Sequence, residues 1–235
     1  NGPAERRRFI DLELSQLDKV YLNDLGNYNR IINQRNKLLK DISFNSGLKD
    51  TLDIWDIQLI EYGEKVIQAR KKFVSDINEI ISEIHKKLTG NQEKIEVIYE
   101  PNTGGQSLGD VIQRNRERDL RMMSTTSGPH RDDICFQVDG IDIRKFGSQG
   151  QQRTAALSLK LSEIELVKML TKDKPVLLLD DVLSELDKHR QNYLLDSIDD
   201  IQTLITCTGV DEFVNHRFSI NKIFYVHEGQ VRNEN

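Results

Sequence analysis

Cysteine, proline and long apolar runs are all scarce in this chain, and each scarcity excludes something. The two cysteines, Cys135 and Cys207, form no CxxC pair and have no histidine at ligand spacing. That excludes a disulfide framework and a structural zinc site, and it fits a reducing cytoplasm. No stretch approaches the roughly 18 apolar residues that span a bilayer, and the opening NGPAERRRF carries no apolar signal segment, so neither membrane nor secretion is expected. Aromatics make up only 6% of the residues against 30% charged, a balance that favours long surface helices over a sandwich or barrel. A formal charge of -5 argues against a surface that clings to nucleic acid or anionic lipid as a whole, and leaves local basic patches open. The chain starts at Asn1 without an initiator methionine, which suggests a piece of something longer.

What is present is mainly helical periodicity. Apolar residues recur at steps of three and four through Ile10, Leu14, Leu17, Tyr21, Leu25, Tyr28, Ile32, Leu39 and Ile42. Pro3 suits the first turn of such a helix, and Gly26 with Asn27 marks the expected kink or split. FNSGLKD, residues 44–50, has loop chemistry, and a second stripe runs through Ile67, Val74, Ile77, Ile81, Ile84 and Leu88. A helix over residues 51–88 reaches about 57 Å at 1.5 Å per residue, long for a globular protein. Two antiparallel helices result, either an arm-like hairpin or part of an ordinary bundle; periodicity alone does not separate the two.

After Gly90 the period changes. KIEVIYEP, residues 94–101, alternates like a half-buried strand, and residues 107–123 are helical again. RNRERDLR, residues 114–121, sets arginines among Glu117 and Asp119 and is read as a solvated, ion-paired face, as is Arg6 to Arg8. Next come a hairpin from ICFQVDG and IDIRKF, a long helix over 149–171, and a short strand from PVLLL. A helix over 184–198, a strand from QTLITCT and a closing hairpin around Glu228 and Gly229 complete the chain. A continuous run such as VLLL belongs to a central parallel strand covered on both faces, so the fold class expected is α/β.

Two stretches carry chemistry. In KPVLLLDDVLSELDKHR, residues 174–190, Asp180 and Asp181 emerge at the carboxyl end of a strand, where open α/β sheets bind ligands. One carboxylate there can hold Mg²⁺ through its water shell, and the next can orient or deprotonate a water. The same two acids can also simply terminate a buried strand. In FGSQGQQRTAALSLKLSE, residues 146–163, small residues precede a long helix whose N-terminus suits a phosphate, although a serine N-cap explains the pattern equally well. Ser184 with Asp187 also fits a capping box.

GSQGQ resembles the signature motif of ABC-type ATPases, and LLLDD followed by SELD resembles their Walker B and D-loop. Together with TSGPHRDDI at residues 126–134, ERRRF near the start and LGNYNRIINQRNKLL at residues 25–39, they make nearly the whole chain similar to the RecF family of SMC-like ATPases. The resemblance implies an ABC-type ATPase head, its carboxy-terminal part at residues 128–235, with a helical insertion domain at residues 1–127. It makes Asp180 the Mg²⁺-associated acid and Asp181 the catalytic one, shorter by a methylene than the usual glutamate and so suited to slow hydrolysis. Ser148, Gly150 and Gln151 would contact the γ-phosphate of ATP held by a second subunit, with Asp187 facing that interface. The family further implies an ATP-dependent homodimer on DNA at gaps or junctions, RecR and RecO as partners, and placement of RecA.

The chain departs from the pattern in two places. No GxxxxGK[ST] occurs, since no glycine is followed by lysine, so the phosphate loop is absent and the chain alone is expected to be inactive. LITCTGV puts Cys207 or Thr208 where many relatives carry a switch histidine, and His130 and Arg131 suit either ligand contacts or a hydrogen-bonded turn. Two other readings are a non-catalytic helical protein-interaction module and the cytoplasmic subunit of a transporter.

Overall fold

The computed structural model describes residues 2–207 and 222–234. The chain forms two compact units, Asn1–Thr171 and Lys172–Asn235. They divide at packing; the division expected between residues 127 and 128 follows motifs.

In the first unit, α1 (Pro3–Leu17) and α2 (Lys19–Ile42) divide the first apolar stripe. The break falls at Asp18, not at Gly26 and Asn27, which lie inside α2. Asp18 adopts an extended backbone and its carboxylate accepts from the Val20 N–H, so a side-chain cap starts the new helix. Gly26 is tolerated because nothing around it requires a bend.

α3 (Leu52–Leu88) runs 37 residues and returns along α2. Arg35 meets Asp56, and Tyr21 meets Arg70 further along, so residue numbers rise on one helix as they fall on the other. Leu39 and Ile42 close on Leu52 at the turn. The pair is no free arm. Beyond Arg70, α3 lies against β1 (Ile95–Glu100), where the Asn78 amide both donates to the Val97 carbonyl and accepts from its N–H, and against α6 (Gln149–Thr171), where His85 meets Ser158. Ile77 and Ile81 are fully buried there, and each such side chain contributes roughly 1.5–3 kcal/mol.

β1 pairs antiparallel with β2 (Asp133–Val138), which turns back into the short β3 (Ile141–Asp142). The hairpin is shorter than its sequence pattern predicts. Asp142 caps a single helical turn, α5 (Ile143–Phe146), by accepting from the Arg144 N–H, so IRKF coils instead of extending the strand. α4 (Leu108–Met122) follows β1 in the chain and buries Leu108, Val111 and Ile112.

In the second unit, β4 (Leu177–Asp180) and β5 (Thr203–Thr206) form a parallel pair spanned by α7 (Lys188–Ser197). β6 (Ile223–His227) and β7 (Gln230–Glu234) form the closing hairpin, turning at Glu228 and Gly229 with positive φ at both. The expectation that VLLL is covered on both faces does not hold among the described residues. Leu179 is buried, yet Val176 and Leu178 are 59% and 71% exposed, and their neighbour Leu204 is 54% exposed. Leu177 and Leu179 therefore mark the covered face of the strand, and Val176 and Leu178 the face exposed among the described residues.

Candidate functional site

The first site element is the turn into α6. Gly147 closes α5 by donating to the Ile143 carbonyl, and a Cβ there would lie 2.6 Å from that oxygen, so only glycine fits. Ser148 and Gln151 then form a reciprocal capping box. The Ser148 hydroxyl accepts from the Gln151 N–H at 3.1 Å, and the Gln151 side-chain oxygen accepts from the Ser148 N–H at 3.0 Å. Ser148 and Gly150 are exposed and Gln151 is half-buried. The Ser148 hydroxyl proton takes no part in the cap, so capping leaves it available to an anion at the helix N-terminus.

Sequence patterns gave no sign of what holds this turn. The Gln151 amide donates to Glu93 Oε1 at 3.0 Å, and the other oxygen of Glu93 faces Nε2 of the fully buried His85 at 3.3 Å. His85 Nδ1 meets Ser158 Oγ at 2.8 Å, and that hydroxyl donates its proton to the Thr154 carbonyl. A relay therefore runs from the capping turn through Glu93 and His85 back into α6.

The second element is the end of β4. Asp180 is exposed, and one of its oxygens accepts from the Thr206 hydroxyl at 2.5 Å, across the parallel pair. The Asp181 N–H donates to the Thr206 carbonyl at 3.1 Å, leaving the Asp181 side chain exposed on a left-handed backbone with φ of 51°. Aspartate tolerates that conformation better than most residues with a Cβ. Thr206 is thus the residue that ties the two acids together. Of the switch position, Cys207 is exposed, and Thr208 lies outside the described residues.

Asp187 is the N-cap of α7, accepting from the Arg190 N–H at 3.0 Å and from its guanidinium at 2.7 Å. Those bonds hold its carboxyl below the usual carboxylate range. The expected pairing of Ser184 with Asp187 is absent, because Ser184 donates to the Asp181 carbonyl and Asp187 caps alone. Among the described residues, no three His, Cys, Asp or Glu side chains gather as a metal cage. One exposed carboxylate at a strand end still fits Mg²⁺, which usually takes one or two carboxylates and completes its shell with water and phosphate oxygens.

GPHRDD is largely structural. Gly128 has φ of 130°, and a Cβ there would lie 2.6 Å from the Tyr28 hydroxyl. His130 Nε2 donates to the Thr125 carbonyl at 3.1 Å, so Nδ1 is the ring nitrogen that accepts from the Tyr28 hydroxyl at 2.7 Å. Burial pushes its proton affinity down to about 4, with Arg131 and Arg7 adding to the effect. Asp132 accepts from Tyr99, Asn102 and the buried Arg70, and Asp133 pairs with Arg6 and Arg144. In RNRERDLR, Arg116 pairs with Asp53 as expected of a charged face, but Asp119 is fully buried against Arg35.

No protein-family model matches the chain. It is 60% identical over 237 residues to the DNA replication and repair protein RecF of Lachnospira eligens, covering 100% of this chain and 65% of that protein. It is 61% identical over 231 residues to RecF of Agathobacter rectalis, covering 98% and 64%. The chain therefore spans just under two thirds of the length of these curated relatives. Among solved structures, one described as the recombination mediator protein RecF-ATP in the RecFOR pathway superposes with a TM-score of 0.89 at 36% identity, covering 100% of this chain and 64% of that one. The Smc head domain of Pyrococcus furiosus superposes with a TM-score of 0.51 at 14% identity over 99% of this chain and 57% of that one, a likeness of fold alone.

A parallel β4–β5 pair joined through α7, a capped turn opening a long helix, and a largely helical remainder define a mixed α/β chain with the fold of an ABC-type ATPase head. Within that fold, the chain is similar to RecF proteins over its whole length.

Proposed function

We propose that this chain supplies the signature and Walker B half of a RecF-type ATPase, and that a phosphate-loop segment outside these residues supplies the other half. The identity to RecF proteins over the entire chain carries the reading. The solvent-facing Ser148 turn and Asp180 support it, because both groups stand open to a ligand.

In the intact protein, ATP bound at one subunit's phosphate loop meets Ser148, Gly150 and Gln151 of a second subunit, so nucleotide joins a homodimer. Asp180 would hold Mg²⁺ through its water shell, and the ion would supply charge compensation for the phosphates. Asp181 orients the attacking water and accepts its proton, and its short side chain keeps turnover slow. Asp187 combines its capping role with a place at the dimer interface. The motif-based division, residues 1–127 as insertion and 128–235 as head, describes these roles.

The dimer acts in the cytoplasm on DNA gaps and junctions with RecR and RecO, promotes RecA loading, and hydrolysis releases it. The interaction-module reading has less support, since the apolar stripe of α3 is already covered by α2, β1 and α6. The transporter reading has less support, since the similarity to RecF proteins runs over the entire chain.

Steady-state ATP hydrolysis tests the proposal. The chain alone is expected to show none, and the chain joined to a phosphate-loop segment is expected to turn over slowly and to stop with Asp181→Asn. Turnover by the chain alone that disappears with Asp181→Asn would contradict it.

A further inference from the structure

A cleft of about 350 Å³ opens between α1 and α2, lined among others by Arg7, Arg8 and Leu12 of α1, Leu25 of α2 and His130. The arginine triplet expected to be ion-paired is not uniform. Arg6 pairs with Asp133 at 2.7 Å, whereas Arg7 donates only to a backbone carbonyl, that of Asp132, at 2.8 Å. Among the described residues, Arg7, Arg8 and Arg131 have no carboxylate within ion-pair distance. Asp11, the acid that also lines the cleft, is satisfied by Arg70 at 2.7 Å and by the Tyr21 hydroxyl.

The cleft therefore combines uncompensated guanidinium groups with an apolar wall. Arg7 stays half-buried at this wall without a counter-charge, which costs free energy unless an anion completes it. Guanidinium groups match phosphate oxygens in geometry and charge, and the volume lies at the small end of ligand sites, enough for one nucleotide unit.

We propose that this cleft is a phosphodiester-binding site, in which Arg7 and Arg8 take a backbone phosphate of nucleic acid and Leu12 and Leu25 receive the attached nucleoside. It rests on the DNA-binding reading above and places one DNA contact on α1, apart from the ATPase motifs. The positive potential is local, which reconciles DNA binding with a net charge of -5.

Anisotropy of a labelled single-stranded oligonucleotide against the 235-residue chain, over a series of KCl concentrations, tests it. Arg7→Ala with Arg8→Ala is expected to weaken binding about tenfold or more at low salt. It is also expected to flatten the log–log salt slope by about 0.7, the value for one lost phosphate contact on a single strand. Arg8→Ala alone, at an exposed residue with no side-chain hydrogen bond among the described residues, should flatten it by about half as much without altering the fold. The exposed pair Lys71→Ala with Lys72→Ala, on α3, should change the slope little.

Equal losses in both double variants would mean diffuse attraction and overturn the site. Wild-type affinity and slope in Arg8→Ala would overturn it as well, while leaving DNA binding intact. No binding by the native chain would instead overturn the DNA-binding reading. If inorganic phosphate moved the His130 ring signals in NMR spectra while the arginine variants bound DNA normally, the ligand would be free phosphate and the backbone assignment would fail.

Discussion

The Thr206 hydroxyl donates to Asp180 while the Thr206 carbonyl accepts from the Asp181 N–H, so one residue of β5 fixes both acids at the end of β4. The parallel register that places Thr206 opposite Asp180 makes this possible.

Thr206→Val keeps the shape and removes the hydroxyl. In the chain joined to a phosphate-loop segment, it is expected to lower ATP turnover by about ten- to a hundredfold, the size of effect that misplacing a reacting group produces. Thr206→Ser is expected to restore most of it. Steady-state hydrolysis with a circular dichroism control distinguishes lost orientation from lost fold.

Arg35 is fully buried, and Asp56, Asp119 and Thr125 take its hydrogen bonds. Arg35→Leu leaves Asp119, itself wholly buried, without its cation. The expected loss is about 3–5 kcal/mol in urea unfolding, since a single buried charge is worse than a buried pair. Removing Arg35 and Asp119 together, as Leu and Asn, is expected to cost less than the sum of the two single changes.

His130 is buried neutral, with a proton affinity near 4 against an ordinary 6.5. The unfolded chain takes up the proton first as pH falls, so this group's contribution is complete above about 6.5 and is lost progressively toward 4. Titration of the His130 ring by NMR is expected to give a midpoint near 4, and His130→Gln is expected to flatten the fall in melting temperature between pH 7 and 5. A midpoint near 6.5 would mean the ring is solvated.

Glu163 works in the opposite direction. Burial pushes its carboxyl up to about 7, and its Oε1 has no hydrogen-bond partner among the described residues, although Lys160 reaches Oε2 at 2.7 Å. The folded chain keeps this proton where the unfolded chain has released it, so stability is greatest below about 4.5 and declines as pH rises through 7. Glu163→Gln is therefore expected to be more stable than the native chain at pH 8, by about 1–3 kcal/mol, with the difference closing near pH 5. Thermal melts at the two pH values measure it.

Local patterns were legible where one short stretch determines the outcome. The stripe through Ile67, Val74 and Ile81 marks α3 because its period fixes the buried face. The break before α2 was misplaced because glycine is the visible breaker, whereas the capping carboxylate of Asp18 decides the position. VLLL misled because apolar residues on both faces record what a strand is suited to meet, not what covers it among the described residues. Ser148 and Gln151 stood out as a motif, but Glu93 and His85 did not, since they lie 58 and more residues away and act through contact alone. The same distance hid Arg35, whose partner Asp119 is 84 residues further on and looked like one more surface charge in RNRERDLR.

Light scattering of the chain joined to a phosphate-loop segment, with and without Mg²⁺ and ATP, tests most directly whether nucleotide is shared between two copies. The composite site predicts a doubling of mass with ATP that Ser148→Arg abolishes while leaving the circular dichroism spectrum unchanged. A monomer's mass at saturating ATP, or a dimer that forms equally well without nucleotide and with Ser148→Arg, would contradict it.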